Sequence, residues 1–170
     1  MRLPSLWDDG LMMSSREEPT VPALCLRPST GAAEYPALVE IWRNTVDATH
    51  DFLADAHRDE IESRLQSDYF PAVTLSVAEL DGEPVGFSGV LDSNLEMLFV
   101  DATRRGAGIG TALLNHAITE HGVAKVDVNE QNVSAADFYA HRGFEVAGRS
   151  ETDEAGRPYP LLHMKLNEPS

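Results

Sequence analysis

Val100-Asp101-Ala102-Thr103-Arg104-Arg105-Gly106-Ala107-Gly108-Ile109-Gly110-Thr111 is the stretch whose reading decides the fold. It follows the apolar run 95–100 and opens a helical pattern through Ala112, Leu113 and Ala117. A strand that passes through arginines and alternating glycines into a helix makes a compact anion receptor. Glycines allow backbone N–H groups to close on a ligand with no Cβ in the way. The helix start adds unpaired N–H donors and a partial positive charge. The stretch therefore reads as a phosphate cradle.

The spacing excludes two nucleotide families. No Lys-Ser/Thr follows the glycines, as a P-loop requires. Gly106, Gly108 and Gly110 lack dinucleotide-fingerprint spacing, and the sheet before them is built from hairpins rather than a βαβ unit. Asp81-Gly82 marks one hairpin between a strand at 73–80 and its partner at 84–91. Residues 95–100 are apolar except for Glu96, which implies a central strand covered on both faces.

Upstream, 23–28 reads as a first strand. Leu38, Ile41, Trp42, Thr45, Val46, Thr49, Phe52 and Leu53 recur three and four apart, one face of an amphipathic helix. A second helix is expected over 57–69, stopped before Pro71. Downstream, helix 109–120 ends at His121-Gly122, and a short strand occupies 124–128. A further helix begins at Asn132 or Ser134 and stops at Gly143, before closing strands at 144–148 and 161–166. The order β-α-α-β-β-β-α-β-α-β-β predicts a mixed α/β (α+β) sheet protein.

Bulk properties bound the function. One domain accommodates 170 residues. Residues 1–22 show no periodicity and read as a disordered N-terminal extension before a domain over 23–170. No apolar stretch approaches the length of a membrane span, and acidic residues in 1–22 exclude a secretory leader, so a cytoplasmic protein is expected. Thirteen basic and 28 acidic residues give a net charge of −15, which repels nucleic acid and anionic membranes. Cys25, alone, forms no intrachain disulfide; within Ala23-Leu24-Cys25-Leu26 it reads as a buried structural thiol. No His/Cys/Asp spacing indicates a metal site.

A second constellation completes the reading: Asn132-x-x-Ala135-x-x-Phe138-Tyr139-x-x-x-Gly143-Phe144. Asn132 is placed to hydrogen-bond at the strand end, Ala135 leaves room for a ligand, and Tyr139, one position off core-facing Phe138, looks into a cleft. Together the two motifs resemble the GNAT acetyltransferase superfamily. Val46-Asp47-Ala48-Thr49-His50-Asp51-Phe52-Leu53, Val128-Asn129-Glu130-Gln131-Asn132 and Pro158-Tyr159-Pro160-Leu161-Leu162 are similar to the YjaB-type branch of bacterial GNAT proteins.

The resemblance implies the GNAT acyl-CoA N-acyltransferase fold, a central, mostly antiparallel sheet with a V-shaped splay, flanked by about four helices. It implies an N-acetyltransferase that moves an acetyl group from acetyl-CoA, as co-substrate, directly to a primary amine, either a protein lysine or a small amine. Leu98, Phe99 and Val100 would pair with pantetheine as an added strand. N–H groups of Arg105, Gly106, Ala107, Gly108, Ile109, Gly110 and Thr111 would hold the pyrophosphate, with Asn132 and Ala135 on the opposite wall. Arg104 is either a contact to the 3′-phosphate or a solvated charge. Tyr139 matches the general acid for the leaving thiolate. Glu96 is either the base, directly or through water, or a solvent-facing strand residue. A backbone N–H near Leu98 is placed to stabilise the carbonyl oxygen. Thr49, His50, Phe52 and Tyr159 are the acceptor-side candidates. The acidic surface leans towards cationic acceptors, and the resemblance leaves a homodimer open. The other readings are a non-catalytic CoA-binding regulatory module and an enzyme using a different acyl-CoA.

Overall fold

The computed structural model describes residues 23–167 apart from Arg105. The extension expected at 1–22 lies outside the described residues. Seven strands form one sheet: β1 Leu24–Pro28, β2 Thr74–Leu80, β3 Glu83–Leu91, β4 Asn94–Val100, β5 Lys125–Asn129, β6 Phe144–Ser150 and β7 Leu161–Leu166. Their order is β1-β2-β3-β4-β5-β7-β6. All pairs are antiparallel except β4 with β5, which is parallel. Among the described residues four α-helices accompany them: α1 Tyr35–Thr49, α2 Asp55–Arg64, α3 Ile109–His121 and α4 Val133–Ala140.

The expected hairpin is present. Asp81 and Gly82 both take positive φ between β2 and β3, the conformation a tight two-residue turn demands. Helix α1 buries Leu38, Ile41, Trp42 and Val46 against Leu75, Val77 and Phe87. The stripe outruns the helix, however: α1 ends at Thr49, and Phe52 and Leu53 belong to the following turn, where the Leu53 amide donates to the His50 carbonyl at 3.0 Å. The second helix is also shorter than its pattern. It covers 55–64, then widens into a π turn over 65–69 before Phe70 and Pro71. The proline ring forbids a continued α ladder.

Helices α1 and α2 lie over β2–β4, and α3 and α4 cover the other face. On β5, Val126 and Val128 are buried under α3 and α4, while Asp127 and Asn129 face away. Two expectations need correction here. Cys25 is exposed, because β1 is an edge strand and its outer face meets solvent. Central strand β4 is not covered on both faces, since Leu95 is its one buried residue. Its apolar character serves an open cleft.

Candidate active site

The cleft arises where the sheet fails to close. Only Asn94 with Lys125 and Leu95 with Val126 pair across β4 and β5, after which the two strands diverge. The β4 edge from 96 to 100 is left without a neighbouring strand, so alternate N–H and C=O groups open onto a cleft of about 570 Å³. Leu98, Phe99 and Val100 line it from β4, with Val126 and Val128 opposite on β5. An unpaired strand edge is a template for any extended ligand with alternating amide groups.

A bulge sets which β4 side chains face which layer. Gly89 pairs with Met97, but Val90 pairs with Leu95, so Glu96 is the extra residue. Without it Leu95, Met97 and Phe99 would share a face. Instead Leu95 and Leu98 pack beneath α3 and α4, whereas Met97 and Phe99 pack beneath α1. The bulge leaves Glu96 exposed at the cleft, its Oε2 accepting from Asn94 Nδ2 at 2.6 Å. Lost hydration raises the Glu96 carboxyl above the usual carboxylate range; the Asn94 bond opposes this, and the charges of Glu154 and Asp127 add to it.

The other end of the cleft is built for an anion. Gly106 and Gly108 have φ of +87° and +81°, and Gly108 caps α3 in the left-handed conformation. The Ala112 amide is the first of α3 to reach back, to the Gly108 carbonyl at 3.0 Å. The amides of Ile109, Gly110 and Thr111 thus have no intrahelical acceptor. Gly110 lies close to Phe138 of α4, where an added Cβ would come within 3.6 Å of the ring. Gly106, Gly108, Ile109, Gly110 and Thr111 all line the cleft, but Ala107 does not. Arg104 does not either; its half-exposed side chain lies 4.0 Å from Glu83. Arg105 lies outside the described residues.

Among the described residues the cation lining this end is Arg142, which has no place in either sequence motif. Its Nη2 and Nε donate to Thr111 Oγ1 at 2.7 and 3.2 Å, and Nη1 donates to the Phe138 carbonyl at 3.0 Å. Its guanidinium sits 3.9 Å from the Phe138 ring centroid. The available signal was the i,i+4 spacing of Phe138 and Arg142, which puts a cation above an aromatic face. Asn132 caps α4, its Oδ1 accepting from the Ala135 amide at 3.2 Å, and both line the cleft.

At the opposite end, Tyr139 lines the cleft from α4 and is 6% exposed. Burial pushes its hydroxyl well above the usual phenol range, so it stays protonated at neutral pH. Thr49 and His50 line the same end from α1. Phe52 and Tyr159 do not line it. Phe52 packs 5.2 Å from the His50 ring and 6.1 Å from Tyr159. The Tyr159 hydroxyl accepts from the Ala54 amide at 3.1 Å and bonds His57 Nδ1 at 2.5 Å. These two residues hold the α1–α2 turn that presents His50. Among the described residues no cluster of three or more His, Cys, Asp or Glu is arranged for a metal ion, and no helix is long and apolar enough to cross a membrane.

Known proteins share this architecture. Residues 41–167 match the family described as Acetyltransferase (GNAT) domain. The chain is 49% identical to the peptidyl-lysine N-acetyltransferase YjaB of Salmonella typhimurium over 128 residues, 75% of this chain and 88% of that one. The solution structure of apo-form YjaB from Escherichia coli superposes with a TM-score of 0.79 at 40% identity, covering 86% of this chain and 99% of that one. The PaiA N-acetyltransferase of Thermoplasma acidophilum, solved in complex with coenzyme A, shares the fold at a TM-score of 0.58 and 19% identity, covering 84% and 99%. A mixed sheet splayed between its fourth and fifth strands, a glycine cradle at a helix start and a buried tyrosine on the far wall are thus accounted for together: the chain belongs to the GNAT acetyltransferase family and is an acyltransferase.

Proposed function

We propose that the protein transfers an acetyl group from acetyl-CoA to the side-chain amine of a peptidyl lysine, in a ternary complex and without a covalent enzyme intermediate. The observation that carries this reading is the unpaired β4 edge running between an anion cradle at 106–111 and the Tyr139 wall. Pantetheine, with two amides, extends along Leu98–Val100 as a strand would. The pyrophosphate meets the free amides of Ile109, Gly110 and Thr111 and the guanidinium of Arg142. These local donors are needed, because the net charge of −15 opposes an anion. The lysine acceptor follows the name of the YjaB relative, and Glu96 offers a carboxylate to its ammonium group at the acceptor end.

The reaction breaks the thioester C–S bond and forms a C–N bond. A β4 amide near Leu98 steadies the oxyanion as the amine attacks. The Tyr139 hydroxyl gives its proton to the departing thiolate, and the proton lost by the nitrogen once the C–N bond has formed replaces it. Incubating the protein with acetyl-CoA and a blocked lysine peptide tests the proposal. The expected result is acetyl-lysine by mass spectrometry with one equivalent of free thiol. Absence of both across a panel of peptidyl and small amines would overturn it, and preference for a longer acyl-CoA would redefine the donor.

A further inference from the structure

His50 stands at the C-terminal cap of α1, lining the acceptor end of the cleft. Its backbone is held twice: the amide donates to the Val46 carbonyl at 2.8 Å, and the carbonyl accepts from Leu53 at 3.0 Å. The ring is held as well. Thr49 Oγ1 donates its single proton to the Thr45 carbonyl at 2.8 Å and lies 2.7 Å from His50 Nδ1. A hydroxyl that gives its one proton to the Thr45 carbonyl can only accept from the ring, so both contacts are satisfied together when Nδ1 carries the hydrogen. The neutral ring is then the Nδ1–H tautomer, with the lone pair on Nε2. No hydrogen bond to Nε2 occurs among the described residues. Phe52 packs against the ring and restricts its swing.

We propose that His50 Nε2, its tautomer set by Thr49, is the group that takes the proton from the acceptor amine. This rests on the acetyl-transfer reading above. The chemistry favours an imidazole over a carboxylate here. In their ordinary ranges a lysine ammonium has a pKa of about 10.4, an imidazole about 6.5 and a glutamate about 4.3, so transfer to imidazole is the less uphill step; burial narrows that gap by raising Glu96 and lowering His50. Burial lowers the His50 pKa, with Asp51 opposing, which keeps the ring neutral and the lone pair available. The other titratable groups on the cleft are Glu96 from β4, Asp127 from β5, and Tyr139 and Arg142 from the α4 segment. Glu96 and Asp127 attract the ammonium group. Nε2 takes one proton from the ammonium before attack, which frees the lone pair that forms the C–N bond, and the resulting imidazolium returns that proton to water after product leaves.

The test compares pH profiles of kcat/KM for wild type, His50→Gln, Thr49→Val and Glu96→Gln, with acetyl-CoA affinity by calorimetry and folding by thermal melting. Wild type should show an acid-side limb below pH about 6.5. His50→Gln should lose that limb and fall by about 10²-fold or more, at unchanged acetyl-CoA affinity. Glu96→Gln should raise the KM for the peptide but keep the limb. Nitrogen-15 spectra of the histidines give a readout independent of turnover: wild-type His50 should be the Nδ1–H tautomer, and Thr49→Val a mixture. A limb that survives in His50→Gln, a limb lost in Glu96→Gln, or an Nε2–H tautomer in wild type would overturn the proposal. Absence of transfer by wild type would instead overturn the reaction assigned to the cleft, and this role with it.

Discussion

Tyr139 and Arg142 lie three residues apart at the C-terminal end of α4, and both line the cleft. Tyr139 is held in the core by Phe138 and Phe144, with ring centroids 5.1 and 5.6 Å away, so removing its hydroxyl leaves the packing in place. Tyr139→Phe should lower kcat by about 10²–10⁴-fold, the range for loss of a positioned acid. Acetyl-CoA affinity should stay within a factor of about two, because the aromatic wall is unchanged; calorimetry beside steady-state kinetics reads both. Arg142→Met keeps the apolar stem but removes the charge. Loss of one charge-assisted contact, about 1.5–3 kcal/mol, should weaken acetyl-CoA binding by about 10–100-fold. At saturating acetyl-CoA the turnover of this variant should match wild type. At this scale the sequence showed Tyr139 through its motif and concealed Arg142. The partner that holds Arg142 is Thr111, 31 positions earlier on another helix.

Among elements, the cradle and the bulge are both backbone devices. Gly108 has a left-handed φ, yet a Cβ there would meet nothing within 4 Å. Gly108→Ala should therefore cost only backbone strain, about 1–2 kcal/mol. Gly108→Asp adds a negative charge at the cradle proposed for the pyrophosphate, and acetyl-CoA binding by calorimetry should fall by more than about 100-fold. A small loss with Ala and a large one with Asp marks an electrostatic site rather than a folding defect. The bulge at Glu96 makes a second prediction. Its carboxyl titrates above its unfolded value, so ionising it opposes folding. The penalty is absent at low pH, where both states are protonated, and grows as pH rises from the unfolded to the folded pKa. Glu96→Gln should thus melt higher than wild type at neutral pH, and the gap should close on acidification. An unchanged gap across pH would show that the carboxylate is not strained. Bulges leave little trace in a sequence, and an apolar run interrupted only at Glu96 has the look of a strand buried on both faces. The α1 stripe misled in the opposite direction, because Phe52 and Leu53 keep helical spacing while the chain has already turned.

For the whole molecule, a net charge of −15 spread over 170 residues means self-repulsion in every folded copy. Raising NaCl from about 10 mM to about 300 mM shortens the Debye length from about 30 Å to under 8 Å. The melting temperature should rise by about 2–4 °C for each kcal/mol of repulsion removed. Calorimetric melts across salt check the direction; a fall would show that surface ion pairs, such as Arg149 with Glu130 and Arg157 with Glu60, outweigh the repulsion. Acetyl-CoA affinity should not follow that trend if its phosphates meet the local donors proposed for them, because salt screens those contacts too.

The amino-acid order by itself determined the strand and helix succession, the hairpin at Asp81-Gly82, the anion character of the glycine loop and the tyrosine of the second motif. These are local: periodicity, turn chemistry and helix starts act over a few residues, so they can be read along one line. The tertiary structure alone decided that β4 and β5 part after two pairs, which creates the cleft. It also turned Arg104 outward and Arg142 inward, moved Tyr159 from the acceptor wall to a clamp on the α1–α2 turn, and brought Thr49 Oγ1 within hydrogen-bond distance of His50 Nδ1. Each of these depends on which distant residues meet, and pairing across a sheet or between helices is selected by the packing of the whole chain, not by the neighbours in sequence.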